Sequence, residues 1–382
     1  MLRILTQGYT VIVNRLAAFA AGCVLAATSA ALAQTSVKPG AAKPASAKPA
    51  EAPKIPEPDW LFPVDPESLK PPKAAPPPPP PPKPTAKPTA KPPSKEAPKE
   101  TPKPEEVELL TIPESAQKYT LARINDQFDA PDWHPADHLP MPDIVAKGRK
   151  PAVIACAYCH TPTGQGRPEN SALAGLPEAY IKEQLEAFRS GQRAPVGPET
   201  WKPSHVMHAL MATMKDEEID ASAKYFSQQK LKRRHYVIES LNIPRAEPSD
   251  WVYKQVDGSE ELETRLLEVA PDITRHQRRD DRMQYTAYVP PGSLARGKQL
   301  TVSGDKGKTQ PCAGCHLAGL KGTDKIPPIA GRSPTYLLRQ MIAFKNGTRS
   351  GEAAAQMTPV VDKLELDDMI ALAAYVGSLY PQ

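Results

Sequence analysis

Apolar positions recur at helical spacing in several stretches after residue 176. The stretch Pro177 to Ser190 opens on proline and closes before Gly191, with Tyr180, Ile181, Gln184, Leu185 and Phe188 on one face, which predicts an amphipathic helix. Pro334 to Asn346 repeats that pattern. Asp216 to Gln228 and Leu366 to Leu379 show it again, the latter through Met369, Ile370, Ala373 and Val376. Between about Lys232 and Pro291 the period fades into short strand-like runs, Tyr236-Val-Ile and Trp251-Val-Tyr, and residues 232–291 read as a connecting segment. Upstream, residues 34–106 have no period at all. They form a Pro/Ala/Lys tract with seven consecutive prolines, Pro76 to Pro82. Such a tract buries no apolar area and is expected to be a disordered, solvated spacer in polyproline II geometry, or a passive tail.

The N-terminus has a different pattern. Arg3 and Arg15 precede an apolar run, Leu16 to Ala33, that ends in the small-x-small triplet Ala31-Leu-Ala33. Residues 1–33 therefore read as a signal peptide and place the protein in the periplasm. An uncleaved N-terminus, leaving the chain attached to the membrane, is the alternative. Lipidation at Cys23 is disfavoured because the apolar stretch before it is short and the residues after it remain apolar.

Charge changes the picture only by exclusion. The formal net charge is +5, yet residues 107–382 carry 34 basic and 34 acidic side chains, so the excess lies in the N-terminal run and the tract. Nucleic acid is thereby excluded as a partner.

The cysteines narrow the chemistry. Of five, Cys23 lies in the signal and the other four form two Cys-x-x-Cys-His motifs, Cys156 to His160 and Cys312 to His316. The motifs are 156 residues apart, and the same offset carries Ala174-Gly175 onto Ala330-Gly331, Tyr180 onto Tyr336, Gln184 onto Gln340, Phe188 onto Phe344, Gly191 onto Gly347 and Arg193 onto Arg349. Further on the offset falls to 150, pairing Met207 with Met357 and Tyr225 with Tyr375, so the first copy has six extra residues, assigned to the Pro-rich loop Ala194 to Val206. The chain is an internal duplication. A zinc ribbon wants its cysteine pairs much closer, and a thioredoxin-type disulfide wants a βαβ setting. Two thiols one helical turn apart with histidine next to them suit two thioether bonds to a porphyrin and an axial bond to its iron.

The expected cofactors are thus two covalently attached haem c groups, bound by Cys156, Cys159, Cys312 and Cys315. His160 and His316 are the expected proximal iron ligands. Met207 and Met357, the methionines that superpose, are the expected second ligands, with His205 and His208 as rivals in the first copy. Met211, Met214, Met341 and Met369 lack partners at matched offset and read as helix core. Pro328, with Ala172 opposite it, is the expected acceptor for the proximal imidazole. Tyr180, Tyr336, Arg193 and Arg349 are candidate propionate contacts. His134 and His138 read as packed loop residues. Arg275, Arg278, Arg279 and Arg282 read as solvated surface with internal ion pairs, or else as a dock for an acidic partner.

At Cys156-Ala-Tyr-Cys159-His160, Cys312-Ala-Gly-Cys315-His316, the repeated Ala-Gly-x-x-x-x-Tyr-x-x-x-Gln stretches and the late methionines, the chain resembles tandem dihaem class I cytochromes c of the c-four kind, over roughly residues 120 to 382. The resemblance implies a mainly α fold of two domains, residues 107–231 and 292–382, each a small helical bundle around its haem. It also implies an early helix crossing the terminal one at a glycine, Gly148 with Tyr225 and Gly297 with Tyr375. The expected work is electron transfer between redox protein partners of a respiratory or dehydrogenase chain, without catalysis. A fixed subunit of a dehydrogenase or oxidase, and a dihaem enzyme of peroxidase or thiosulfate-oxidising type, are the alternatives.

Overall fold

The structure is a computed structural model and describes residues 55–69 and 108–381. The signal run and the remainder of the Pro-rich tract, residues 1–54 and 70–107, lie outside the described residues.

The first copy begins with two single-turn helices, α1 (Leu121–Ile124) and α2 (Asp143–Ala146), and the haem-motif helix α3 (Cys156–His160). Then follow α4 (Glu178–Arg189), α5 (Lys202–Met211) and α6 (Asp216–Ser227). The second copy holds α8 (Ser293–Ser303), α9 (Ala313–His316), α10 (Pro334–Lys345), α11 (Thr358–Val361) and α12 (Leu366–Ser378). The long helices lie where the periodicity put them. Part of the loop expected at 194–206 is instead the first turn of α5, with proline near its start, where a missing N–H costs nothing.

One crossing expected from the resemblance is present and the other is not. Gly297 of α8 lies so close to α12 that a Cβ there would come within 2.0 Å of the Ala371 carbonyl oxygen and 2.6 Å of the Tyr375 Cβ. Gly148 does not meet Tyr225. It sits at φ +66, just past the end of α2, and packs on its own loop at Val153 and Ala155.

The chain is not mainly α throughout. Where a connecting segment was expected there is a five-stranded mixed sheet: β1 (His235–Glu239), β2 (Asn242–Ser249), β3 (Val252–Glu261), β4 (Leu267–Ala270) and β5 (Tyr285–Val289), in the order β1-β5-β4-β3-β2. β1 and β5 are parallel, β5 and β4 antiparallel, β4 and β3 parallel, β3 and β2 antiparallel. The short helix α7 (Ile273–Gln277) joins β4 to β5. Pro244 and Pro248 fall in the edge strand β2, where a missing ladder N–H is tolerated.

Leu266 and Val289 join the core of the second copy between α10 and α12, and Glu268 of β4 reaches into the start of α10. Its carboxylate accepts from the Ser333 hydroxyl at 2.6 Å and the Thr335 N–H at 3.2 Å, filling orphan donors of the helix terminus. His235 faces the other carboxylate oxygen at 2.5 Å, and Glu268 is held below the usual carboxylate range despite its burial.

The tract expected to be spacer also departs from expectation. Residues 55–69 dock: Leu61 and Phe62 are buried with Trp201, Leu338 and Ile342. Tyr253 donates to the Trp60 carbonyl at 3.0 Å and Arg339 to the Leu61 carbonyl at 3.0 Å. The loop lengthened in the first copy receives this segment, since Gly197 N–H donates to the Glu57 carboxylate at 3.0 Å.

Candidate haem centres

Both Cys-x-x-Cys-His motifs border one continuous cavity of about 1900 Å³, larger than the roughly 300–1,000 Å³ of a single small-molecule site. Its walls bring together Cys156, Cys159 and His160 from α3 with Met207 from α5, and Cys312, Cys315 and His316 from around α9 with Met357 at the start of α11. His205 and His208 stand on the same helix as Met207 but do not border the cavity. Met214 and Met341 touch its wall while packing in the hydrophobic cores.

Each proximal imidazole is oriented by a backbone carbonyl one residue before the position expected. His160 Nδ1 lies 2.7 Å from the Ser171 oxygen and His316 Nδ1 lies 2.8 Å from the Pro327 oxygen. A carbonyl only accepts, so each Nδ1 carries the proton and each Nε2 keeps its lone pair for a metal. Burial lowers the pKa of both rings, His160 to about 4, which keeps them neutral ligands. Burial likewise pushes the Cys156 thiol up to about 12 and raises Cys159.

Ala172 and Pro328, the carbonyls next in sequence, serve another purpose. Arg332 Nη1 donates to Ala172 at 2.6 Å, its Nη2 to Ala174 at 3.3 Å, and its Nε to Pro328 at 2.6 Å. One buried guanidinium therefore ties together the two loops that hold the proximal histidines. Sequence reasoning missed it, although a signal exists: the duplication places Arg332 opposite Leu176.

The tyrosines and arginines shared by both copies form a reciprocal contact between them. Arg193 donates to Tyr336 Oη and Gln340 Oε1 at 2.9 Å each, and to its own copy's Gln184 at 3.0 Å. Arg349 donates to Tyr180 Oη and Gln184 Oε1 at 2.7 Å each, and to Gln340 at 3.0 Å. Backbone bonds flank them, Ala194 N–H to Thr348 and Ser350 N–H to Gln192. With two arginines side by side, burial lowers the pKa of Arg193, and the two guanidiniums hold the Tyr336 phenol down at about 8 against its own burial.

Around the first motif the wall is charged. Arg167 and Glu169 are buried 2.9 Å apart, and Arg167 Nε and both Glu169 carboxylate oxygens have no hydrogen-bond partner. Arg279 stacks on Tyr158 at 3.5 Å and donates to the Tyr158 carbonyl at 3.0 Å. The other members of that arginine series are also engaged: Arg275 with Asp280 at 2.5 Å, Arg278 with the Thr111 carbonyl at 2.5 Å, Arg282 with Asp137 at 2.9 Å. Arg278, Arg279 and Arg282 hold the sheet insert to the first copy while Arg275 pairs within the insert, in keeping with internal pairing.

The cytochrome c family model matches residues 145–230. Cytochrome c-554(548) of Halomonas halodenitrificans is 38% identical over 68 residues, 18% of this chain and 82% of that protein. The chain belongs to the cytochrome c family. Two further relatives match a longer part of the chain. The thiosulfate dehydrogenase electron acceptor of Stutzerimonas stutzeri is 25% identical over 236 residues, 61% of this chain and 82% of its own length. Cytochrome c4 of Stutzerimonas stutzeri is 24% identical over 234 residues, 60% of this chain and 86% of its own. This cytochrome carries two covalently attached haems and works as an electron carrier.

Three features of the cavity fit that pair of cofactors: its size, the presence of both motifs on its walls, and two imidazoles each fixed with Nε2 free. The haem iron supplies a one-electron couple when bound, and the protein's part is to set its ligands, charge and access to water.

Proposed function

We propose that the first haem is held by thioethers from Cys156 and Cys159 with His160 and Met207 as axial ligands, and the second by Cys312 and Cys315 with His316 and Met357. The observation that carries this reading is that each methionine borders the same cavity as its histidine while His205 and His208 do not. Two filled axial positions leave nowhere for a substrate and suit outer-sphere electron transfer. The two helical haem domains, residues 107–231 and 292–382, flank the sheet, and the chain works in the periplasm after export through residues 1–33. Among the described residues no helix is long and apolar enough to cross a membrane.

Its donor, on this reading, is a dehydrogenase of a reduced sulfur compound, the partner class that the name of the Stutzerimonas relative carries. A permanently attached subunit of such an enzyme is the second reading.

Visible and near-infrared spectra of the haem-loaded protein, with Met207→Ala and Met357→Ala beside the parent, test the ligand set. Each substitution should remove part of the methionine-to-ferric charge-transfer band and produce a high-spin or newly ligated haem, while His205→Ala leaves the spectrum unchanged. A Met207→Ala spectrum identical to the parent's would refute the assignment at the first haem. Stopped-flow reduction by a thiosulfate dehydrogenase, against a dehydrogenase of unrelated substrate, tests the donor.

A further inference from the structure

Away from the haem cavity, three buried acid and imidazole groups from distant parts of the chain converge. His134 lies in the N-terminal arm; Asp280 and Asp281 lie in the turn between α7 and β5. They are only 5%, 1% and 4% exposed. His134 Nε2 is 3.6 Å from Asp280 Oδ1 and 3.7 Å from Asp281 Oδ1, and one donor atom from each residue lies within 4.8 Å of the others. These separations are too long for hydrogen bonds. His134 Nε2 and Asp281 Oδ1 have no hydrogen-bond partner, although both are buried. An unpartnered imidazole nitrogen aimed at two carboxylates is a costly arrangement unless something sits between them.

The spacing says what fits. Two donors each about 2.1 Å from a tetrahedral cation stand about 3.4 Å apart, and a slightly opened angle takes that to the 3.6 and 3.7 Å that separate His134 from the two carboxylates. One imidazole nitrogen and two carboxylate oxygens suit a borderline divalent ion such as zinc better than calcium or magnesium, which prefer oxygen alone. We propose that His134, Asp280 and Asp281 form a structural binding site for one divalent cation of the zinc type.

The surrounding charge is compatible with it. Asp280 Oδ2 is taken by Arg275 at 2.5 Å and its Oδ1 accepts from the Arg282 backbone N–H at 2.8 Å, so one Asp280 oxygen is already oriented towards the cluster. Arg234 acts on Asp281 from the other side, yet burial still raises the Asp281 carboxyl above its usual value. The Thr163 hydroxyl, three residues after the proximal His160, also lies against Asp281. An ion here fastens the N-terminal arm to the turn between α7 and β5 at one point.

The test uses the full haem-loaded protein, purified without added metal, equilibrated with limiting zinc and dialysed. Elemental analysis counts zinc against the two haem irons, and calorimetry reads the unfolding midpoint with zinc and with a chelator. The parent should retain one zinc per chain and lose several degrees of midpoint on chelation. His134→Gln and Asp281→Asn, each with the parent's Soret spectrum, should retain none and show no response to chelator. Zinc retained equally by the variants would overturn the proposal as an adventitious ion only. A parent that holds no zinc, and whose midpoint does not respond, would overturn it even if neither variant folds.

Discussion

Arg332 donates to the Ala172 carbonyl at 2.6 Å across 160 positions of sequence, and the same guanidinium holds Pro328 at 2.6 Å on its own side. Burial lowers its pKa to about 10, so it remains charged at neutral pH. Replacing it with methionine leaves three carbonyl oxygens, two of them buried, without their donor and should cost about 2–4 kcal/mol, read as a lower denaturant midpoint at unchanged slope. Arg332→Lys should rescue little, because a point charge cannot span two separated carbonyls as the planar fork does.

Gly297→Ala drives a methyl group into the Ala371 carbonyl, with 2.0 Å between them before relaxation. Since that neighbour is backbone of a buried helix, the two helices must separate. A loss of about 3 kcal/mol is expected, measured by urea unfolding followed through the second haem's Soret band.

Leu61 is fully buried although it lies within a proline-rich stretch. Leu61→Ala should destabilise the protein by about 2–4 kcal/mol in thermal unfolding, the range for an aliphatic side chain removed from a packed core. If residues 55–69 were a solvated tail, the change would be neutral.

Asp137 joins the N-terminal arm to the insert, and hydrogen bonds from Arg282 above all, then Lys232, hold its carboxyl well below the usual carboxylate range. A depressed folded value means the stabilisation is present above the unfolded value of about pH 4 and is lost as pH falls below it. Thermal midpoints at pH 6, 4 and 3 should therefore fall more steeply for the parent than for Asp137→Asn, which starts lower and changes less.

The two haem motifs were legible in the sequence because thioether attachment demands a fixed local spacing, and the duplication pairs Met207 with Met357, the ligands proposed above. The helices were legible from their period and their proline and glycine boundaries. The sheet was not. Its central strand β4 is only four residues long and β3 carries apolar residues chiefly in its first half, so neither shows the alternation of a half-buried strand. Trp60, Leu61 and Phe62 were hidden by the prolines around them, since composition averages over a window that a single three-residue anchor does not shift. Gly148 misled for a different reason. A glycine matched to a family position was read as a helix crossing, whereas its positive φ serves a turn.

The reciprocal grip of Arg193 and Arg349 has an implication for how this protein was assembled. The two copies hold each other through side chains that each carries at matching positions, a contact that does not run through the peptide between them. The junction can therefore differ in length without altering that grip, and here it holds a whole sheet with its own contacts to both neighbours. The same freedom makes the junction a place where an engineer could graft another module, or cut the chain and expect the two haem domains to find each other again.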